Sequence, residues 1–211
     1  VDGGYGKNVL AVTSSHFCAS EKQYRFPLEY GAVRTPSAQW TVTGSGAVVL
    51  TREKSPICIE NITTGKMVDL GVKDSSNMGA AMAPAAADCI TNHLNDLGLE
   101  PSDYDCIITG DLGIIGSKLL VELCSEEGLD ISGVHGDCGS MIFDPAVQNT
   151  GAGGSGCGCS ASVVCSYILN KLSNKELNKV LFVGTGALLS PTSSMQKEST
   201  PGIAHGVVLT S

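Results

Sequence analysis

Apolar residues in this chain come in short runs of strand length and in longer stretches of helical period. Asn8 to Ser15 is a continuous apolar run closing on small polar residues, and it predicts a strand. Glu21 to Ala38 is mixed and charged, holds Pro27 and Pro36 and shows no period, so it reads as an excursion loop. Trp40 to Arg52 returns to strand character, with Gly44 and Gly46 marking a bulge or a close backbone approach. Ile57 to Asn61 and Lys66 to Val68 flank Thr63-Thr64-Gly65, a hairpin or β-turn signal. Gly71 to Asn77 reads as a linker.

Beyond the linker, helix and strand alternate. Gly79 to Leu97 is rich in Ala, tolerates Pro84 in its early turns and closes on Gly98, which predicts a helix. Asp105 to Thr109 predicts a short buried strand running into Gly110-Asp111-Leu112-Gly113. Ser117 caps a predicted helix through Glu126, with Gly128 as its stop. Val134 to Gly158 reads as a long glycine-rich connection, and connections of that length in a compact domain are usually functional. Ser160 caps a further helix with Val163, Val164, Tyr167, Ile168 and Leu172 on one face. The strand Lys179 to Thr185, a Ser/Thr/Pro loop and a last strand complete the chain. Such alternation is the signature of a layered sheet covered by helices.

The beginning resembles the end. Lys7-Asn8-Val9-Leu10-Ala11-Val12-Thr13 matches Asn178-Lys179-Val180-Leu181-Phe182-Val183-Gly184, and Gly46-Ala47-Val48-Val49-Leu50-Thr51 matches His205-Gly206-Val207-Val208-Leu209-Thr210. A repeated strand pair implies two layers built on one plan. Far more chain precedes the second copy than the first, so residues 1–74 are expected to be the remnant of one half and residues 75–211 a complete second half. Val1-Asp2-Gly3-Gly4-Tyr5-Gly6 reads as an interior loop and the start as a cut end. Without its front, the first half is expected to expose apolar strand edges in Val9 to Val12 and Val48 to Leu50, and to be held by a partner.

Composition narrows the function classes. The chain has 211 residues, 42% of them hydrophobic and 16% charged, enough to bury one or two cores. A formal net charge of -8 argues against a nucleic-acid groove, which needs clustered Lys and Arg. No run approaches a bilayer-spanning length and no secretory signal begins the sequence. Nine Cys, an odd and scattered count, suit reduced thiols packed as small apolar residues. Cys157-Gly158-Cys159 and His135-Gly136-Asp137-Cys138 lack the paired spacing of a zinc site, and no metal or other cofactor is expected.

Five segments carry a family resemblance: Thr13-Ser14-Ser15-His16-Phe17-Cys18, Gln39-Trp40-Thr41-Val42-Thr43-Gly44, Gly110-Asp111-Leu112-Gly113, Gly156-Cys157-Gly158-Cys159-Ser160-Ala161-Ser162 and Gly184-Thr185-Gly186-Ala187-Leu188-Leu189-Ser190-Pro191. Together with the repeated halves, they resemble the thiolase superfamily, and more closely its stage V sporulation protein AD family. The resemblance implies an α/β thiolase-like layered fold (αβαβα), here with a complete C-terminal half and the closing strands of a truncated N-terminal half. It also implies a nucleophilic Cys in the first half and two polar partners on loops of the second.

Neither partner stands at its implied place. The loop after Cys106 to Thr109 reads Gly110-Asp111 where His is usual, and Cys157 stands near the place of an Asn or His. Gly110 accepts no proton, and Asp111 would repel an enolate rather than stabilise it. Cys157 could be activated by a helix N-terminus, yet His16, His93, His135 and His205 show no sequence link to it. The family therefore implies ligand binding instead of catalysis, with an acyl-transferring or condensing enzyme as the alternative. The implied ligand is dipicolinic acid, free or as its calcium chelate, taken up into the developing spore. Expected site residues are Ser15, His16, Gly110, Asp111, Ser155, Gly156 and Cys157, with Arg25, Arg34 and Lys118 as candidate cations. His16 enters because it ends a strand, where crevices form in α/β sheets. Membrane proteins of a transport complex, and a second copy or the missing N-terminal part, are the implied partners. The implied location is the cytoplasmic side, peripheral to the spore membrane.

Overall fold

The structure, a computed structural model, describes residues 1, 3–17 and 35–211. Arg25, Arg34 and most of the expected excursion loop lie outside the described residues. The strands are β1 (Asn8–Ser15), β2 (Trp40–Thr41), β3 (Gly44–Thr51), β4 (Cys58–Thr63), β5 (Cys106–Thr109), β6 (His135–Asp137), β7 (Gly154–Ser155), β8 (Lys179–Ala187) and β9 (Gly202–Thr210). The principal helices are α1 (Met78–Leu97), α2 (Gly113–Glu126), α3 (Cys138–Met141), α4 (Pro145–Gln148), α5 (Cys157–Val163) and α6 (Leu169–Ser173), with a π-helical turn at Val164–Ile168 joining α5 to α6. A short α7 (Pro191–Met195) precedes β9.

One five-stranded sheet runs β4-β9-β8-β5-β6, with β5, β6 and β8 parallel and β9 antiparallel to both β8 and β4. Alternation sends successive side chains to opposite faces. Ile107, Leu181, Val183, Ala204 and Val208 pack against α1 and α2, while Ile108, Val180 and Leu209 pack against α5 and α6. On the far side of α5 lies the β1–β3 hairpin, close enough that a Cβ on Gly46 would stand 2.8 Å from the Ala161 carbonyl oxygen. The layers thus run helix, sheet, helix, sheet.

The two halves of the sequence repeat pair in one register. Val9 faces Leu50 and Leu10 faces Val49 in the hairpin, as Val180 faces Leu209 and Leu181 faces Val208 in the large sheet. The outward face of the hairpin is apolar and open: Leu10, Val12 and Val49 are 63%, 62% and 66% exposed.

Several boundaries differ from expectation, each because a distant partner intervenes. Cys58–Thr63 forms no hairpin with Lys66 to Val68; it pairs with β9, and Val68 bridges Gly202. By strand pairing it belongs with the large sheet, so a division at residue 74 does not follow the sheets. The expected strand Trp40 to Arg52 is two strands, because Trp40–Thr41 leaves the hairpin to pair in parallel with Gly154–Ser155. Within 134–158, taken as one connection, lie β6, α3, α4 and β7. The helix expected from Ser117 starts at Gly113, and the one expected from Ser160 starts at Cys157.

A candidate ligand crevice at the start of α5

Asp111 sits at the carboxyl end of β5 and is buried to 7% exposure. Its carboxylate is fully engaged. Thr185 Oγ1 donates to Oδ1 at 2.9 Å, while Ser155 Oγ at 2.7 Å and the Gly156 N–H at 3.0 Å donate to Oδ2. Its backbone N–H donates in turn to Thr185 Oγ1 at 3.1 Å. From the other side, Gln39 Nε2 donates to the carbonyls of Asp111 and Gly154 at 2.7 and 2.8 Å. One acidic residue thereby ties together the ends of β5, β7 and β8, the segment before β2 and the start of α5. Gly110 leaves room for this: a Cβ there would stand 2.9 Å from Thr185 Oγ1.

The start of α5 is held by a second set of bonds. Gly156 takes φ 102°, a left-handed conformation that L side chains rarely adopt. The Gly158 N–H donates to Ser15 Oγ at 2.9 Å, and Ser15 Oγ donates to the Val42 carbonyl at 2.6 Å. Cys157 Sγ, exposed, donates to the Ser14 carbonyl at 2.9 Å. His16 is exposed one residue beyond β1. Beside it Phe17 stacks on Trp40, ring centroids 4.1 Å apart and planes 2° from parallel. Ser15, Gly110, Asp111, Ser155, Gly156 and Cys157 are thus brought together, with His16 next to them at the end of β1. Lys118 is exposed on α2 and makes none of these hydrogen bonds.

Sequence reasoning missed four residues that build this place. Thr185 and Gln39 brace Asp111, as above. Asp137, 2% exposed, accepts from the N–H groups of Leu112 and Gly113 at 2.8 Å each and from the Ser140 N–H at 2.9 Å, so it caps α2 and α3 at once. Thr109 Oγ1 donates to Asp137 at 2.8 Å and lies 3.1 Å from His135 Nε2. Burial pushes the Asp137 carboxyl above its ordinary range, opposed by the Thr109 hydroxyl and the Leu112 and Gly113 N–H groups. Burial also pulls the His135 imidazole down to about 4. In the sequence Asp137 stood out only within His135-Gly136-Asp137-Cys138, a group weighed as a metal site.

Chemically, the crevice offers fixed hydroxyls, backbone N–H groups and one exposed thiol. Among the described residues no histidine is hydrogen-bonded to Cys157, and no group of three His, Cys, Asp or Glu is placed to hold a metal ion. His93 is buried in α1, where Nδ1 lies 2.6 Å from Thr63 Oγ1 and Nε2 lies 2.6 Å from the Tyr104 hydroxyl.

The sequence profile of stage V sporulation protein AD matches residues 1–210. The chain belongs to the stage V sporulation protein AD family. Its relative of that name from Bacillus subtilis (strain 168) is 50% identical over 208 residues, which are 99% of this chain and 61% of the relative. Solved structures agree on the fold alone. A tetronic acid condensing enzyme matches with TM-score 0.55 at 14% identity, over 99% of this chain and 61% of that one. The 3-oxoacyl-(acyl carrier protein) synthase III of Pseudomonas aeruginosa PAO1 matches with TM-score 0.53 at 14% identity, over 99% and 60%. The corresponding synthase of Aquifex aeolicus VF5 matches with TM-score 0.51 at 12% identity, over 100% and 60%. The fold is thiolase-like, and it covers part of each of those longer chains. This family member is a sporulation protein with that fold.

Proposed function

We propose that this protein binds dipicolinic acid and assists its uptake into the developing spore without catalysing a reaction. The observation that carries the reading is the state of Asp111. In a condensing enzyme, the loop after β5 and the start of α5 would aim a base or donor at the acyl group. Here the loop presents a carboxylate whose two oxygens are taken by Thr185, Ser155 and Gly156. The helix start presents a thiol that donates to a backbone carbonyl. Neither is set to stabilise a developing enolate. In this reading the ligand lies beside His16 and Cys157, and Asp111, with its donors already engaged, braces the crevice instead of touching the ligand's carboxylates.

Among the described residues no helix is long and apolar enough to cross a membrane. In this reading the protein works at the cytoplasmic face of the spore membrane, peripheral to it, beside membrane-embedded partners of the transport complex. The hairpin β1–β3 supplies the closing strands of a first thiolase-like half, and the large sheet forms the second.

Isothermal titration of the purified protein tests this with dipicolinate, its calcium chelate, isophthalate and acetyl-CoA. Saturable binding of dipicolinate or its chelate is expected, with isophthalate weaker because it lacks the ring nitrogen. Absence of dipicolinate binding, or acyl transfer from acetyl-CoA, overturns the reading.

A further inference from the structure

Phe17, the residue after His16, lies flat against Trp40. The ring centroids are 4.1 Å apart and the planes 2° from parallel. Aromatic side chains usually pair offset or edge to face, with centroids about 4.5–7 Å apart, because their electron-rich faces repel when overlaid. The indole face therefore already carries one flat ring, held closer than two such side chains prefer.

The two partners are anchored differently. Trp40 belongs to β2, where its N–H donates to the Gly153 carbonyl at 2.8 Å and the Val42 N–H donates to the Ser155 carbonyl at 2.8 Å. Gln39, just before it, is tied to the Asp111 and Gly154 carbonyls. Phe17 lies past the end of β1, and its N–H donates to Thr43 Oγ1 at 3.1 Å in an exposed position. Both rings are half-buried. A second flat ring competing for the indole face would thus move the phenyl aside by side-chain rotation, while β2 keeps its pairing and the indole stays in place.

We propose that Trp40 is the specificity-determining platform of the crevice, and that a planar aromatic dicarboxylate binds by replacing the Phe17 ring on the indole face. Trp40 takes this role given the ligand class proposed above, on which the assignment rests. The exchange keeps a stacked pair on the indole. It also substitutes a pyridine, whose nitrogen draws electron density out of the ring, for a benzene ring that faces the indole with its own electron-rich surface. A saturated dicarboxylate cannot lie flat on the indole and leaves Phe17 where it is. No bond is made or broken.

Calorimetric titration of the purified protein with dipicolinate, isophthalate and hexahydroisophthalate, the last being the same diacid with its ring saturated, tests the assignment. Phe17→Ala removes the competing ring and should tighten both flat ligands about three- to ten-fold, the stacking of one ring pair. In the Phe17→Ala background, Trp40→Leu should weaken both about ten-fold by removing the platform, and Trp40→Phe, which keeps a smaller ring, should restore part of that loss. In the parent background Trp40→Leu should cost less, since the Phe17 stack disappears with it. Hexahydroisophthalate should bind Phe17→Ala more weakly than isophthalate and respond to neither substitution. Trp40 is the chain's single tryptophan, so its emission in the parent should change saturably with dipicolinate. Dipicolinate that binds the parent but is not tightened by Phe17→Ala, or is unmoved by Trp40→Leu in that background, would overturn the platform and leave the ligand reading standing. So would hexahydroisophthalate binding as tightly as isophthalate. Absence of dipicolinate binding to the parent would remove both.

Discussion

Thr185 and Asp111 hold each other by two hydrogen bonds of opposite sense. The hydroxyl donates to Oδ1 at 2.9 Å and accepts the Asp111 backbone N–H at 3.1 Å. The pair joins the ends of two neighbouring parallel strands at the point where the crevice opens. Its consequence is a graded response to substitution. In Asp111→Asn the amide oxygen can keep Ser155 and Gly156, and the new NH2 can donate to Thr185 Oγ1, which has a second lone pair. In Asp111→Ala the Gly156 N–H and the Ser155 hydroxyl are left buried and unpaired, and the Thr185 hydroxyl loses its acceptor. The Asn variant should lose about 1 kcal/mol and the Ala variant about 3 kcal/mol. Denaturant unfolding checks the order; an Asn variant as damaged as the Ala variant would contradict this account.

The crevice glycines are required by geometry, which changes how they can be used as probes. A Cβ on Gly158 would stand 2.4 Å from the Gly44 carbonyl oxygen and 2.5 Å from Ser15 Oγ, in the seam between β1, β3 and α5. Gly156 has open φ requirements of a different kind, at 102°. Gly158→Ala should cost about 1–3 kcal/mol by overpacking, and Gly156→Ala a similar amount by backbone strain. For a chain of this size that is a fall in Tm of about 2–12 °C. Gly156→Val therefore lowers stability whether or not a ligand binds nearby. Calorimetric melting of both Ala variants settles the matter, and a Tm equal to the parent's would refute the close packing.

Much of this arrangement was legible in the sequence, and the misreadings share one cause. Val9 to Val12 and Val180 to Val183 declare themselves as strands because their apolar runs are local, and the matching register of their partners follows from the repeat. Ser117 and Ser160 were attractive helix caps on local grounds. The actual starts are set from afar, by the Asp137 carboxylate on Leu112 and Gly113 and by the Asp111 carboxylate on Gly156. Cys58–Thr63 looked like a hairpin arm because a turn signal follows it, whereas its partner is Gly206 to Thr210 at the other end of the chain. The crevice residues were found through family resemblance. Gln39 and Thr185 stand inside the resembling segments but were not singled out, since nothing adjacent in sequence distinguishes a brace from an ordinary strand-end residue.

Thr41 offers a simple test of what else fills the crevice. It is 1% exposed, its Oγ1 has no hydrogen-bond partner among the described residues, and it pairs in register with Ser155. An unsatisfied buried hydroxyl costs about 1–3 kcal/mol, and valine has nearly the same shape. Thr41→Val is expected to hold or raise the Tm of the ligand-free protein. A fall in Tm would mean that the hydroxyl has a bound partner in solution.

Acid should weaken the fold through its histidines. The His135 imidazole titrates near 4 in the folded protein because burial disfavours its charged form, against an ordinary value of 6.5. Burial, and then the charge of Lys179, lower His93 in the same direction. A depressed imidazole pKa means that the unfolded chain binds more protons below pH 6.5. The stabilisation is complete above that pH and is lost as pH falls from 6.5 towards 4, by up to about 3 kcal/mol for His135. Asp137 opposes this, since a carboxyl raised in the folded state loses stabilisation as pH rises through its folded value. Urea unfolding at pH 7.5, 6 and 5 should show a declining midpoint, and His135→Asn should flatten the decline. A variant with the parent's slope would assign the acid sensitivity elsewhere.

The outward face of the β1–β3 hairpin makes the last prediction. Leu10 pairs with Val49, and Val12 with Ala47, on a sheet face where the three large side chains are each more than 60% exposed. Two strands with an open apolar face are marginal in water, and such a face favours burial against another chain. The purified protein is therefore expected to self-associate at micromolar concentration. Val49→Lys places a charge at the centre of that face without touching the opposite face, where Gly46 packs on Ala161. Sedimentation velocity should shift from associated species to monomer in Val49→Lys, with the helical circular dichroism unchanged. A parent protein that sediments as a folded monomer at the same concentration would show that the hairpin needs no cover, and the expectation of a partner on this face would fall with it.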